Sequence, residues 1–217
     1  MRPVFFCLFA IMLSAATAQA GMQITEFMYD GQIGSKGEYI EFTNVGSSAV
    51  DMTNWSFDDN HRLSGVVSLS AFGTVAPGES VILTDASIAN FRTSWNLAST
   101  VKVIGGNSAN LGREDEINLY DASQTLVDRL TFGDDDVSLP GTIRARYISG
   151  NPGSASVLGT NNVAGWVLSS VGDSFGSLKS ANNDVGNPGY YPTPEPASIV
   201  LAVIGLVGLI GLRRRWL

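Results

Sequence analysis

The sequence predicts an all-β fold, an antiparallel sandwich with one helical connection. Three observations carry that expectation. Short strand-like runs recur through the middle of the chain. Gly, Asn, Asp and Ser separate them, the residues that make tight turns. Only one stretch shows helical spacing, and several short strands with a single helix fit a two-layer sandwich. No repeat of fixed period is visible.

In chain order, residues 1–20 read as a signal peptide. Arg2 supplies a positive start, Val4 to Leu13 is apolar, and Ala18-Gln19-Ala20 is an A-x-A cleavage pattern for signal peptidase. Cys7 lies inside the apolar stretch, so cleavage after Ala20 leaves a mature chain without cysteine. Disulfides, thiol catalysis and cysteine metal sites are thereby excluded.

The first strand is expected over Gln23 to Tyr29, before the turn Asp30-Gly31. Glu38 to Asn44 alternates more cleanly, with Ile40 and Phe42 on one face and Tyr39, Glu41 and Thr43 on the other. Further strands are expected at Trp55 to Phe57, Ser80 to Thr84, Val101 to Ile104, Glu116 to Tyr120, Leu126 to Phe132, Ile143 to Tyr147 and Trp166 to Leu168. Pro77-Gly78, Gly105-Gly106-Asn107 and Pro140-Gly141 supply turns between them, the second read as a hairpin turn. Ala86 to Leu97 reads as the helix, with Ile88, Phe91 and Trp95 three and four residues apart. Ser149 to Asn162, rich in Gly, Ser and Asn, reads as a long loop or mobile edge. Ile40, Phe42 and Trp55 are expected in the core, so Trp55→Ala should cost about 3–5 kcal/mol. Asn44-Val45-Gly46 should turn, with the Asn44 side chain bonding nearby backbone.

At the far end, Pro194-Glu195-Pro196 precedes an apolar run from Ala197 to Leu212, which meets Arg213, Arg214 and Arg215. As a helix the run would be about 24 Å long at 1.5 Å per residue, short against a bilayer core of about 30 Å. Gly205, Gly208 and Gly211 weaken it further. The arginines belong on the cytoplasmic side, which places the domain outside. Residues 1–20, 21–190 and 191–217 thus separate into signal peptide, β-sandwich and tail, with a transmembrane segment at 197–212.

Between Gly21 and Pro196 lie all 20 acidic residues and nine of the 13 basic ones, a formal charge of −11. That balance argues against nucleic acid, whose binding relies on Lys and Arg neutralising phosphates. It suits a soluble extracellular surface that collects divalent cations.

Chemistry is sparse. His61 is the only histidine, with Asp59 and Ser64 close in sequence, but sequence nearness is not the geometry a catalytic triad needs. Zinc sites built from several His or Cys are ruled out by count. Three acidic clusters are candidates for calcium, which takes six to eight oxygen ligands. These are Asp134-Asp135-Asp136, Asp58-Asp59-Asn60 and Arg113-Glu114-Asp115-Glu116, although no EF-hand spacing is present. The plainer reading is solvated loop charge that keeps strand edges from pairing. Paired carboxylates such as Glu26 and Glu41 could be imagined as a glycosidase acid and base, but alternating strand positions explain both as surface or structural polar groups. No catalytic residue and no cofactor is assigned, calcium excepted as a possibility.

Two resemblances sharpen this picture. The tail, with Pro194-Glu195-Pro196-Ala197-Ser198, the apolar span and Arg213 to Arg215 in order, resembles the PEP-CTERM sorting signal of Gram-negative bacteria. The resemblance implies processing by an exosortase, anchoring in the membrane before that step, then the cell surface or extracellular matrix, in a setting of exopolysaccharide and biofilm. The middle, with Ile24-Thr25-Glu26-Phe27, Gly37 to Asn44, Val50 to Trp55, Pro77 to Leu83, Glu116 to Tyr120, Val127-Asp128 and Asn187-Pro188-Gly189, resembles the lamin tail domain. That resemblance spans about Met22 to Tyr190 and implies an immunoglobulin-like β-sandwich. Together they imply an exported, non-enzymatic structural, adhesive or binding module. The alternatives are a calcium- or polysaccharide-binding module and, behind them, a secreted hydrolase.

Overall fold

A computed structural model describes residues 21–133 and 145–192. Ala18, Ala20, Asp134, Asp135, Asp136, the Pro140-Gly141 turn, the Pro194-Glu195-Pro196 motif, the 197–212 span and Arg213 to Arg215 lie outside the described residues. Strands β1 (Met22–Met28), β2 (Tyr39–Asn44), β3 (Val50–Asp51), β4 (Ser56–Asp58), β5 (Val67–Ser68), β6 (Thr74–Val75) and β7 (Ser80–Thr84) precede helix α1 (Ile88–Trp95). Strands β8 (Lys102–Ile104), β9 (Asp115–Tyr120), β10 (Leu126–Phe132), β11 (Gly150–Pro152), β12 (Trp166–Leu168), β13 (Leu178–Lys179) and β14 (Val185–Gly186) follow.

Six strands form one sheet in the order β12-β11-β1-β2-β7-β8, and four form the facing sheet, β10-β9-β4-β5. Two small ribbons, β3-β6 and β13-β14, lie outside them. Among the described residues the paired strands are antiparallel except β8, which runs parallel to β7; an isolated bridge between Ile148 and Val185 is also parallel. The reason for the parallel β7–β8 pair is α1, which carries the chain across between the two strands, as such a pair requires. Ser87 caps that helix by accepting from the Asn90 amide, and Asn96 ends it in the left-handed conformation, so it is two residues shorter at each end than its periodicity predicts.

Between the sheets, Ile24, Phe27, Ile40, Phe42, Val81 and Leu83 pack against Phe57, Ile117, Leu119, Leu130 and Phe132. Phe27 is the hub, with ring centroids 4.5 Å from Phe132 and 5.7 Å from Trp166. Trp55 departs from its expected place. It is only partly buried and packs on the rim of this cluster, one residue before β4 begins. Met52, fully buried, fills the interior nearby.

The outer face of the large sheet is also covered. Met28, Tyr39 and Ile82 meet Phe91 and Trp95 of α1, with Tyr39 edge-on to both rings at 5.4 and 5.8 Å.

Three further expectations change. The loop expected over Ser149 to Asn162 contributes β11, which pairs with β12 and meets β1 at Phe27, so that part of the segment is sheet interior. Of the strand expected over Ile143 to Tyr147, Arg146 and Tyr147 form a turn, Tyr147 at φ 69° with its amide donating to the Asp30 carbonyl. Gly105-Gly106-Asn107 is no hairpin: it carries the chain from β8 in one sheet toward β9 in the other. At the Asn44 corner the expected turn is present, the side chain accepting from the Gly46 amide at 3.0 Å and donating to the Val75 carbonyl at 2.9 Å.

Candidate functional site

The polar half of the outer face begins with a bulge. Pairing of β1 with β2 slips between Ile24 and Glu26, which interrupts strict alternation and brings Thr25 to the same cluster of polar groups as Glu26 and Glu41. Glu26 is then directly opposite Glu41, and both are completely buried. Glu41 Oε1 accepts from Thr25 at 2.8 Å and from Thr43 at 3.2 Å, while Oε2 accepts from the Gly189 amide at 2.7 Å. Glu26 Oε1 accepts from the Asn187 amide at 2.8 Å and from the Ser149 hydroxyl. Ser149, Ser169, Asn151 and Asn187 continue the network under the C-terminal segment. Gly186 approaches so closely that a Cβ there would lie 2.4 Å from Tyr39 Oη and 2.9 Å from Glu26 Oε1.

Burial dominates the electrostatics of this pair. It pushes the Glu26 carboxyl up to about 8, with the Glu41 charge adding to the rise and the donated hydrogen bonds opposing it. Burial raises Glu41 as well. Such raised acids resemble catalytic carboxyls. A glycosidase pair, however, must flank a sugar, and the backbone of residues 187–189 sits on this one. As packed, it is a clamp between β1, β2 and the C-terminal segment. Sequence reasoning found both glutamates but missed Ser149, Gly186 and Asn187 as their partners. No local pattern marks those partners, because the contacts span more than 120 residues.

A second polar region lies at the end of β1. A groove of about 530 Å³ is lined, among the described residues, by Tyr29, Asp30, Arg113 and Arg146, and Asp30 is paired to Arg146 at 2.5 Å. Beside it, a cavity of about 140 Å³ reaches Lys36, Glu38 and Asp85. Burial raises Glu38 to about 9 although its Oε2 accepts from the Leu111 amide at 2.6 Å. That cavity holds more carboxylates but falls below the roughly 300 Å³ at which ligand pockets begin.

The acidic run Arg113 to Glu116 does not gather into one site. Asp115 turns onto the Gly112 and Glu116 amides. Glu116 accepts a two-point contact from Arg62 at 2.6 and 2.8 Å, and hydrogen bonds from Arg62, Asn118 and Thr131 outweigh desolvation to hold it down to about 2.

The loop after β4 behaves differently. Asp59 Oδ1 meets His61 Nδ1 at 2.8 Å, which raises the imidazole, and Asp58 stands alongside. Among the described residues Ser64 makes no hydrogen bond to His61, so no triad forms. Of the sequence-predicted candidates, the structure unites Glu26 with Glu41 and Asp58 with Asp59 and His61, and disperses Arg113 to Glu116, while Asp134, Asp135 and Asp136 lie outside the described residues.

Comparison with known proteins agrees with this architecture. The Lamin Tail Domain model matches residues 15–134, more than half of the chain, and the PEP-CTERM protein-sorting motif matches residues 192–215. No curated protein matches it. The sorting motif implies export, surface or extracellular targeting, and processing by an exosortase. Both are non-catalytic domain types. Among the described residues no helix is long and apolar enough to cross a membrane. With a largely antiparallel two-sheet sandwich matched over its first ten strands and a sorting signal behind it, the chain belongs to the Lamin Tail Domain family.

Proposed function

We propose that this protein is a display module: a non-enzymatic structural or adhesive sandwich, exported and delivered to a Gram-negative surface or biofilm matrix through its tail. The supporting observation is the join between domain and tail. The segment clamped by Glu26 and Glu41 runs through buried Tyr191 directly into the matched sorting motif, which begins at residue 192. A closed, stitched C-terminus lets the tail be cut without disturbing the sandwich. Membrane anchoring by residues 197–212 before cleavage, and signal peptidase action after Ala20, complete the route.

The test is mass spectrometry with cell fractionation of the native protein. The expected mature form lacks both extremities and sits outside the inner membrane. Replacing Pro194, Glu195 and Pro196 by alanine should leave the tail attached. An unchanged mature mass in that variant would overturn the reading.

One observation favours a narrower role. The 530 Å³ groove combines Tyr29 with the planar charged groups of Asp30, Arg113 and Arg146, a set suited to hydroxyl-rich chains such as exopolysaccharide. Arg146→Ala should then weaken retention on an immobilised acidic exopolysaccharide; equal retention would remove this role and leave the display function standing.

A further inference from the structure

The turn after β4 holds a buried acid with an unmet need. Asp58 is fully buried at the strand end, and its Oδ2 accepts from the Leu63 amide at 2.7 Å, closing the loop. Its other oxygen, Oδ1, has no hydrogen-bond partner. A buried carboxylate oxygen without a donor is rare in folded proteins and calls for a missing ion or water. Beside it, Asp59 and His61 each bring a ligand atom, and one such atom from each of the three residues lies within 4.8 Å of the others. The turn is braced from the adjacent strand β9, where Asn118 Nδ2 donates to the Asp59 carbonyl at 2.6 Å. Arg62 does not neutralise the cluster, because its guanidinium is committed to Glu116.

We propose that Asp58, Asp59 and His61 bind one divalent transition-metal ion of the zinc class. Three donors converge from one short loop. Zinc–nitrogen and zinc–oxygen bonds run about 2.0–2.2 Å, so two ligand atoms on one ion stand no more than about 4.4 Å apart. The three ligand atoms lie within 4.8 Å of one another, near that limit, and the exposed His61 ring has room to adjust. Two carboxylates offset the ion's charge, and the imidazole selects against calcium and magnesium, which take all-oxygen shells. Three protein ligands leave a further position to water or to a donor from a partner molecule. The site lies on the four-stranded sheet, away from the clamped C-terminal segment, and does not depend on the display reading.

The experiment is titration of the full-length chain in detergent with zinc chloride, followed by calorimetry, beside His61→Ala and Asp59→Asn. Cobalt(II) absorbance reports the coordination. Outer-shell partners of metal ligands alone contribute about 10- to 100-fold in affinity. Loss of a ligand should therefore weaken zinc binding at least about tenfold in either variant, with unchanged melting in chelator. Millimolar calcium should not displace zinc from the parent. Equal zinc affinity in parent and His61→Ala, no zinc binding in the parent, or displacement by calcium would each overturn the assignment.

Discussion

The two faces of the six-stranded sheet are both buried, yet by different physics. The inner face is apolar and interlocks with the smaller sheet through Phe27, Ile40 and Phe42. On the outer face, Tyr39 and Ile82 meet α1, but the remainder is Thr25, Glu26, Glu41, Thr43 and Ser80 beneath the C-terminal segment. Apolar packing is non-directional and tolerates many partners of similar shape. The acidic seam tolerates few, because Glu26 Oε1 and both Glu41 oxygens take their hydrogen bonds from donors at fixed places. The inner face therefore holds the sandwich together, while the outer seam specifies where one segment lies.

Substitutions test that division. The largest effect should come from the inner face: Phe27→Ala, at the junction with Phe132 and Trp166, should cost roughly 3–5 kcal/mol in chemical denaturation. A loss under about 1 kcal/mol would move the hub elsewhere. Gly186→Ala should come next, about 1–3 kcal/mol, because its methyl group has no room beside Tyr39 Oη and Glu26 Oε1. Its hydrogen exchange should rise first in residues 185–189, whereas a uniform rise would make the seam part of the main core. Trp55→Ala should cost less than Phe27→Ala, since the indole lies on the rim. Equal melting losses would restore it to the interior. Ser87→Ala, removing the cap of α1, should cost about 1 kcal/mol and leave the seam untouched.

These contrasts also mark how much the sequence shows. Ser80–Thr84, Leu126–Phe132 and Trp166–Leu168 fall where their alternation and turn residues predict. Strands of two residues, such as Val67–Ser68, are too short to carry a period, and their existence is decided by the neighbour they pair with. Trp55 misleads for a related reason: a large aromatic signals burial, but not which of two adjacent residues turns inward. The parallel β7–β8 pair departs from the antiparallel expectation, and the helical crossover between the two strands is what permits it. Glu26 and Glu41 are the hardest case. Alternating charge in a strand ordinarily marks a solvent face, and only the return of a distant segment buries it. Asp59 and His61 stand two apart in sequence and meet directly, while the distant Asn118 also donates to the Asp59 carbonyl of that turn.

The most direct test of the clamp is stability against pH, for the full chain and for Glu26→Gln. A carboxyl raised to about 8 from its ordinary 4.5 keeps its proton in the folded protein after the unfolded chain has lost it. The native state then binds more protons between those values, so stability falls as pH rises. Its contribution is complete below about 4.5 and is lost as pH climbs through about 8. Burial shifts Glu38 the same way, so the parent's decline has more than one source, and Glu26→Gln should remove part of it. A parent curve that falls from pH 5 to 8, and a shallower one for Glu26→Gln, is the predicted result. Parallel curves for the two proteins would show that Glu26 is not a buried clamp.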